Sequence, residues 1–172
     1  AIVCPDAKTK QRIDLLKNFG FADEVTVRTV GINGKMNELQ AAFGLLQLRY
    51  VDATIRRRQE IDTLYRRALE SVAGIDCQLL PPGITWNHAY FPILVQPGYP
   101  LSRDELYHRL REVGIHARRY FYPLISEFPM YRNLSSAAPA SLPIAHNVAK
   151  RVLCLPIYPA LELEEMDKII DI

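Results

Sequence analysis

The apolar spacing between Asn37 and Gly74 limits what this chain can fold into more than any other stretch. Leu39, Phe43, Leu46, Val51 and Ile55 recur at helical intervals, and Ile61, Leu64, Tyr65, Leu69 and Val72 continue the stripe to Gly74. That recurrence is the mark of a helix with one apolar face. Asn37 and Gln40 have the spacing of a capping box that would start it. One long helix, or two with a bend, therefore occupies most of residues 37–73. The clusters Arg56-Arg57-Arg58 and Arg66-Arg67 ride on it beside Glu60, Asp62 and Glu70. A solvated, ion-paired face is one reading of these arginines, and a phosphate-binding surface is the other.

The flanks carry shorter signals. Asp6 is placed to cap a helix from Ala7 to about Asn18, with Gly20 as its stop. Ala1-Ile2-Val3-Cys4 is β-prone and runs straight into Pro5, so the chain opens inside a strand; a fragment of a longer protein and a short edge strand both account for that. Residues 21–35 read as an irregular connection with a β-prone Val25-Thr26-Val27. Beyond Gly74, Ile75 to Leu80 and Ala89 to Val95 read as paired strands around Pro81-Pro82-Gly83. Ser102 and Glu105 make a full capping box, Leu106, Leu110 and Val113 an apolar face, and Gly114 a stop. A strand over 115–121, a helix near 143–150, a strand at 152–155 and a last helix carrying Leu163, Met166 and Ile169 complete a small α+β layer, helices covering a sheet.

Composition narrows the function classes. A length of 172 residues with 49% hydrophobic content suits one substantial core, and a net charge of +2 gives no electrostatic case for nucleic acid. Cys4, Cys77 and Cys154 are far apart and flanked by aliphatic residues, as expected of thiols in a reducing cytoplasm. No apolar run is long enough to span a membrane.

Phosphate-loop, dinucleotide, zinc-hydrolase, nucleophile-elbow and Cys-x-x-Cys motifs are absent. His88, His108, His116 and His146 lack metal-ligand spacing. The segment Gly31-Ile32-Asn33-Gly34-Lys35-Met36-Asn37-Glu38 is different in kind. It brings an amide, a cation and a helix N-terminus to one place, which suits an anion such as a phosphate. An ordinary loop and helix cap is the alternative reading of the same residues.

Gly31-x-Asn33-x-Lys35-Met36-x-Glu38-Leu39-Gln40-Ala41-Ala42, followed by Gly44-Leu45-x-Gln47-Leu48, resembles the signature of the DegT/DnrJ/EryC1/StrS family of pyridoxal-phosphate-dependent sugar aminotransferases. Arg58, His88-x-Tyr90, Arg103-Asp104-x-Leu106, Tyr122-Pro123-Leu124 and Val152-Leu153-x-Leu155-Pro156 resemble further landmarks in family order. The resemblance implies the α/β type I aminotransferase fold, of which this chain would be the C-terminal portion. Residues 1–35 would be the tail of the large cofactor-binding domain, 36–74 the connecting helix and 75–172 the small α+β domain. The Schiff-base lysine would lie upstream of Ala1, since none of Lys8, Lys10, Lys17, Lys35, Lys150 and Lys168 has its context. The resemblance also implies a homodimer with a shared active site, in which Asn33 reaches the cofactor phosphate held by the other subunit, with Lys35 beside it. Family members commonly have arginine where this chain has Lys35, and an aromatic where it has Gly34. The implied substrates are a nucleotide-linked keto-deoxysugar, of the kind used in cell-surface polysaccharide, and glutamate as amino donor. His88, Arg118, Arg119 and Tyr122 are the substrate-wall candidates; on a strand, adjacent Arg118 and Arg119 would face opposite ways, and one would meet the diphosphate. Two other readings stay open: a family dehydratase with histidine in place of the lysine, and an α+β interaction module without cofactor.

Overall fold

A computed structural model describes residues 2–172, which divide into two compact units at Tyr50/Val51. The division falls within the 36–74 stretch and assigns the longer helical part to the second unit.

In the N-terminal unit, Asp6 Oδ1 accepts from the Thr9 N–H at 2.7 Å and starts α1, Ala7–Lys17. The chain then turns back at Gly20, whose φ of 84° and N–H bond to Leu15 O at 2.8 Å close the helix. A Cβ on Gly20 would lie 1.7 Å from Thr29 O, so no other residue fits. The returning segment is tied to the end of α1: Ile32 N–H bonds to Leu16 O and Gly34 N–H to Lys17 O, both at 2.8 Å. No strand forms around Val25–Val27; Phe21 with Val27 and Asn18 with Asn33 make single bridges only. The expected opening strand is also absent over Ile2–Cys4, and Ala1 lies outside the described residues. Helix α2, Glu38–Leu48, is apolar on most of its surface yet has no buried residue.

In the C-terminal unit, α3 spans Val51–Leu69, so the long stripe is divided between two helices at Arg49-Tyr50. A three-stranded antiparallel sheet, β1 (Ile75–Cys77), β2 (Phe91–Val95) and β3 (Val152–Leu155), has the order β1-β2-β3. Phe91, Ile93 and Val95 alternate inward from β2. They meet Ile61, Tyr65 and Leu69 of α3, Leu106 and Leu110 of α4 (Arg103–Glu112), and Met166 and Ile169 of α6 (Leu163–Ile170). Tyr65 packs on Phe91 at 4.9 Å between ring centres and donates its hydroxyl to Pro156 O at 3.0 Å. α5, Pro143–Ala149, starts on proline, whose missing N–H is one the first turn would leave unpaired.

Pro92 explains why β1 is short. Opposite it, Cys154 spends both backbone groups on Arg118, with bonds of 2.8 and 2.9 Å. Pro92 therefore faces the β1 side, where it has no N–H to offer, and β1 stops at Cys77 opposite Ile93. The strand expected over 115–121 reduces to that single Arg118–Cys154 bridge. Tyr120 N–H turns back to Arg118 O at 3.1 Å, and the ladder ends.

Candidate functional site

The N-terminal unit holds the anion-binding candidates. The Asn33 side chain is exposed and makes no hydrogen bond among the described residues, so both amide N–H groups are available. Lys35 Nζ donates to Asn18 Oδ1 at 2.9 Å, lies 5.6 Å from the centre of the Phe19 ring, and has no carboxylate partner among the described residues. The helix start is less suited to an anion than its spacing implies. Asn37 Oδ1 accepts from the Gln40 N–H at 2.9 Å, Gln40 Oε1 accepts from the Asn37 N–H at 3.3 Å, and Glu38 adds a negative charge in the first turn. The Asn33–Lys35 turn is therefore better suited to an anion than the end of α2. These two donors fit the phosphate of pyridoxal phosphate. The lysines do not fit its covalent attachment: all six are exposed, and Lys10 and Lys17 are paired with Asp14 at 2.5 and 2.7 Å. A lysine that holds the cofactor has to be partly desolvated.

The C-terminal unit holds the substrate-wall candidates. Arg118 is fixed to the edge strand by its backbone bridge, and its Nη1 donates to the Tyr120 hydroxyl. Arg119 turns the other way and donates from Nη1 to Asp104 Oδ1 at 2.8 Å, with its guanidinium 4.3 Å from the Tyr107 ring centre. Arg103 shares the same carboxylate at 2.9 Å and donates to the carbonyls of Ala149 and Val152 at 2.9 and 3.1 Å. Burial alone would raise the Asp104 pKa, but the Arg119 hydrogen bond and the charges of both arginines outweigh it and hold the carboxyl below its usual 3.8. The Tyr122 ring rests on these two guanidiniums, 4.7 Å from Arg103 and 5.4 Å from Arg119, with its outer part exposed.

His88 is buried away from solvent, 6% exposed. Its Nδ1 is 3.3 Å from Asp62 Oδ2 without the alignment of a hydrogen bond. Asp62 is itself buried and accepts from Arg66 Nε at 2.5 Å, while Arg66 Nη1 reaches Gln78 O at 2.7 Å. This cluster ties α3 to the segment that leads into β2.

A cavity of about 690 Å³ opens beside Arg118 and is also lined by Tyr90, Tyr120, His116, Tyr158 and Lys168. A smaller recess of about 210 Å³, with Trp86 and Phe121 in its wall, shares Tyr90, Tyr120 and Cys154 with it. Tyr90 meets Tyr120 edge to face at 5.4 Å, and Tyr120 stacks on Phe121 at 4.9 Å. Burial pushes the Cys154 thiol up to about 11, so it stays protonated and unreactive near neutral pH. Sequence reasoning did not single out Tyr120 and Lys168, which line the larger cavity. The aromatic density of Tyr120-Phe121-Tyr122 was a visible signal for the first, and a lone lysine on a late helix offered none for the second. Among the described residues no group of acidic, histidine or cysteine side chains could hold a metal, and no helix is long and apolar enough to cross a membrane.

Comparison with known proteins places these features. A sequence profile of the DegT/DnrJ/EryC1/StrS aminotransferase family matches residues 1–172. The chain is 54% identical over 171 residues to a dTDP-4-amino-4,6-dideoxy-D-glucose transaminase of Escherichia coli, covering 98% of this chain and 46% of that protein. It is 43% identical over 170 residues to a transaminase of the same description from Shigella dysenteriae, covering 99% of this chain and 46% of that protein. The chain thus spans about half the length of these curated relatives. Among solved structures it resembles S. venezuelae DesV with a TM-score of 0.89 and 28% identity, over 98% of this chain and 44% of that one. The match runs through the Asn33 turn, the sheet and the Tyr122 wall alike, and the chain belongs to the DegT/DnrJ/EryC1/StrS aminotransferase family.

Proposed function

We propose that the protein carrying this chain is a pyridoxal-phosphate-dependent aminotransferase that moves an amino group, from glutamate, onto the keto group of a dTDP-linked deoxysugar. The observation that carries this reading is the near full-length similarity of the chain to two dTDP-sugar transaminases. In this reading residues 1–35 are the tail of a larger cofactor-binding domain. The exposed apolar surface of α2, including Leu39, Phe43 and Leu46, supports a larger assembly, since a monomeric surface rarely leaves such a patch bare. The protein acts as a homodimer in the cytoplasm.

The bound cofactor would supply an electron sink for the carbon that gains or loses the amine. The chain's own residues bind and orient. Asn33 donates its amide N–H groups to the cofactor phosphate of the other subunit, and the Lys35 ammonium balances its charge. Arg118 meets the diphosphate of the sugar nucleotide. Arg119 is already engaged by Asp104, and with Arg103 it holds the Tyr122 ring in the wall facing the sugar. His88, buried against Asp62, holds the segment that leads into β2 and carries Tyr90. The proton-moving lysine is supplied from outside these residues.

Asn33→Ala in the full-length protein tests the reading at the cofactor. Losing a charge-assisted hydrogen bond should weaken pyridoxal phosphate binding by about 1–3 kcal/mol, read by absorbance titration. Unchanged affinity would remove Asn33 from the site. Absence of any cofactor uptake by the unaltered protein would favour the interaction-module reading, and a product that loses oxygen without gaining nitrogen would favour the dehydratase.

A further inference from the structure

We infer that Asn18 is a positioning residue for the cofactor phosphate: with the Phe19 ring it holds the Lys35 ammonium at the Asn33 turn as a cation that has no carboxylate of its own among the described residues. The inference rests on the aminotransferase reading for the identity of the anion, and extends it to a residue that acts only through Lys35.

The end of α1 forms the seat. Its last carbonyls are spent on the returning turn: Leu16 O accepts from the Ile32 N–H and Lys17 O from the Gly34 N–H, both at 2.8 Å, while the Phe19 N–H bonds to Ile32 O at 3.1 Å. These bonds set Asn18 opposite Asn33 as a single antiparallel bridge. Glycine permits the approach, since a Cβ on Gly31 would lie 2.4 Å from Gly20 N and 2.6 Å from Leu16 O. The Ile32 and Gly34 N–H groups are thereby consumed, and the turn meets an anion with the side chains of Asn33 and Lys35. Where the Lys35 ammonium stands then decides how well a phosphate is held.

Asn18 leaves the helix at φ −114° and ψ 48°, and Phe19 follows at φ 57°, in the left-handed region. That bend brings two consecutive side chains to one ammonium. Asn18 Oδ1 accepts from Lys35 Nζ at 2.9 Å, and the Phe19 ring centre lies 5.6 Å from it. An amide oxygen and a ring face orient the cation without cancelling its charge. One of its N–H donors goes to Asn18, and the others remain for an anion. Asp14, one turn earlier on α1, is already taken by Lys10 and Lys17 at 2.5 and 2.7 Å. A lysine held in this way has less side-chain freedom left to lose when it meets a phosphate. The neutrality of residue 18 is therefore as important as its acceptor oxygen.

The test uses the full-length protein freed of cofactor, titrated by absorbance with pyridoxal phosphate and with pyridoxal, which lacks the phosphate. The ratio of the two affinities isolates the phosphate contacts. Lys35→Met should lower that ratio by about five- to tenfold, and Asn18→Ala by about three- to fivefold. Asn18→Asp keeps an acceptor but adds a negative charge, and should lower the ratio at least as far as Asn18→Ala. A merely structural role predicts the reverse order, with Asn18→Asp close to the unaltered protein. In the Lys35→Met background Asn18→Ala should change the ratio no further, because its effect runs through the ammonium. A ratio unchanged in both Asn18 proteins, or an Asn18→Ala effect that persists in full without Lys35, would overturn the inference and leave the cofactor reading standing. If Asn18→Ala does not fold, Asn18→Asp decides alone by the same ratio. An unaltered protein that takes up no pyridoxal phosphate refutes the cofactor reading and the role of Asn18 with it.

Discussion

Asp62→Ala should loosen the β1–β2 region by about 2–3 kcal/mol. Asp62 is 3% exposed and joins α3 to the segment before β2: it accepts from Arg66 Nε at 2.5 Å and Nη2 at 3.4 Å on its own helix, and faces His88 Nδ1 at 3.3 Å. Removing one partner of a fully buried pair typically costs about 3–5 kcal/mol, because the other charge is left without compensation. Here the Arg66 side chain keeps 28% of its surface in solvent and retains Gln78 O at 2.7 Å, so part of the loss is recovered and the cost falls to about 2–3 kcal/mol, below that range. The readout is amide hydrogen exchange across Ile75–Cys77 and Phe91–Val95 in the full-length protein, since local opening of this unit governs it. A change of about 2–3 kcal/mol should accelerate exchange by roughly 30- to 150-fold. Asp62→Asn, which keeps an acceptor but loses the charge, should fall between. Acceleration below about threefold in Asp62→Ala would refute the claim that this buried cluster pins the segment that leads into β2.

Three further outcomes are expected. Ser102→Ala should destabilise α4 by about 1 kcal/mol, because the Ser102 hydroxyl caps the Glu105 N–H at 3.3 Å; exchange over Arg103–Glu112 would register it. The depressed Asp104 pKa means its pairing with Arg103 and Arg119 contributes fully above pH 3.8 and is lost as pH falls through the lower folded value; Asp104→Asn should abolish that acid-dependent step in the exchange of α4. Cys154 should resist iodoacetamide at pH 8 in the native protein and react once unfolded, as a buried thiol raised to about 11 requires, and peptide mass mapping reads this directly.

Signals that act locally are legible in the sequence. Asp6, Ser102 and Pro143 start helices, and Gly20 and Gly114, both with positive φ, end them, because capping and left-handed stops need only neighbouring residues. The missing strand over 115–121 and the short β1 depend on who pairs with whom. A β-prone run says nothing about a partner that stops at Pro92 or offers one bridge at Cys154. The same limit applied to the site. The donor types of the Asn33–Lys35 turn are visible in the sequence, but which of Arg118 and Arg119 is left without a carboxylate depends on Asp104, fifteen residues before Arg119, which pairs with Arg119 alone of the two. His88 was legible as a landmark and not as a buried group, since its partner Asp62 comes from another element.

The central claim is amino-group transfer, and tracing the nitrogen tests it most directly. Full-length protein, pyridoxal phosphate, isotopically labelled glutamate and a dTDP-4-keto-6-deoxyhexose are incubated together, and the sugar nucleotide is analysed by mass spectrometry. The account predicts that the sugar's carbonyl oxygen is replaced by an amine carrying the glutamate label, and that the label fails to appear when the cofactor is withheld. A sugar nucleotide that remains unlabelled with every component present would contradict it.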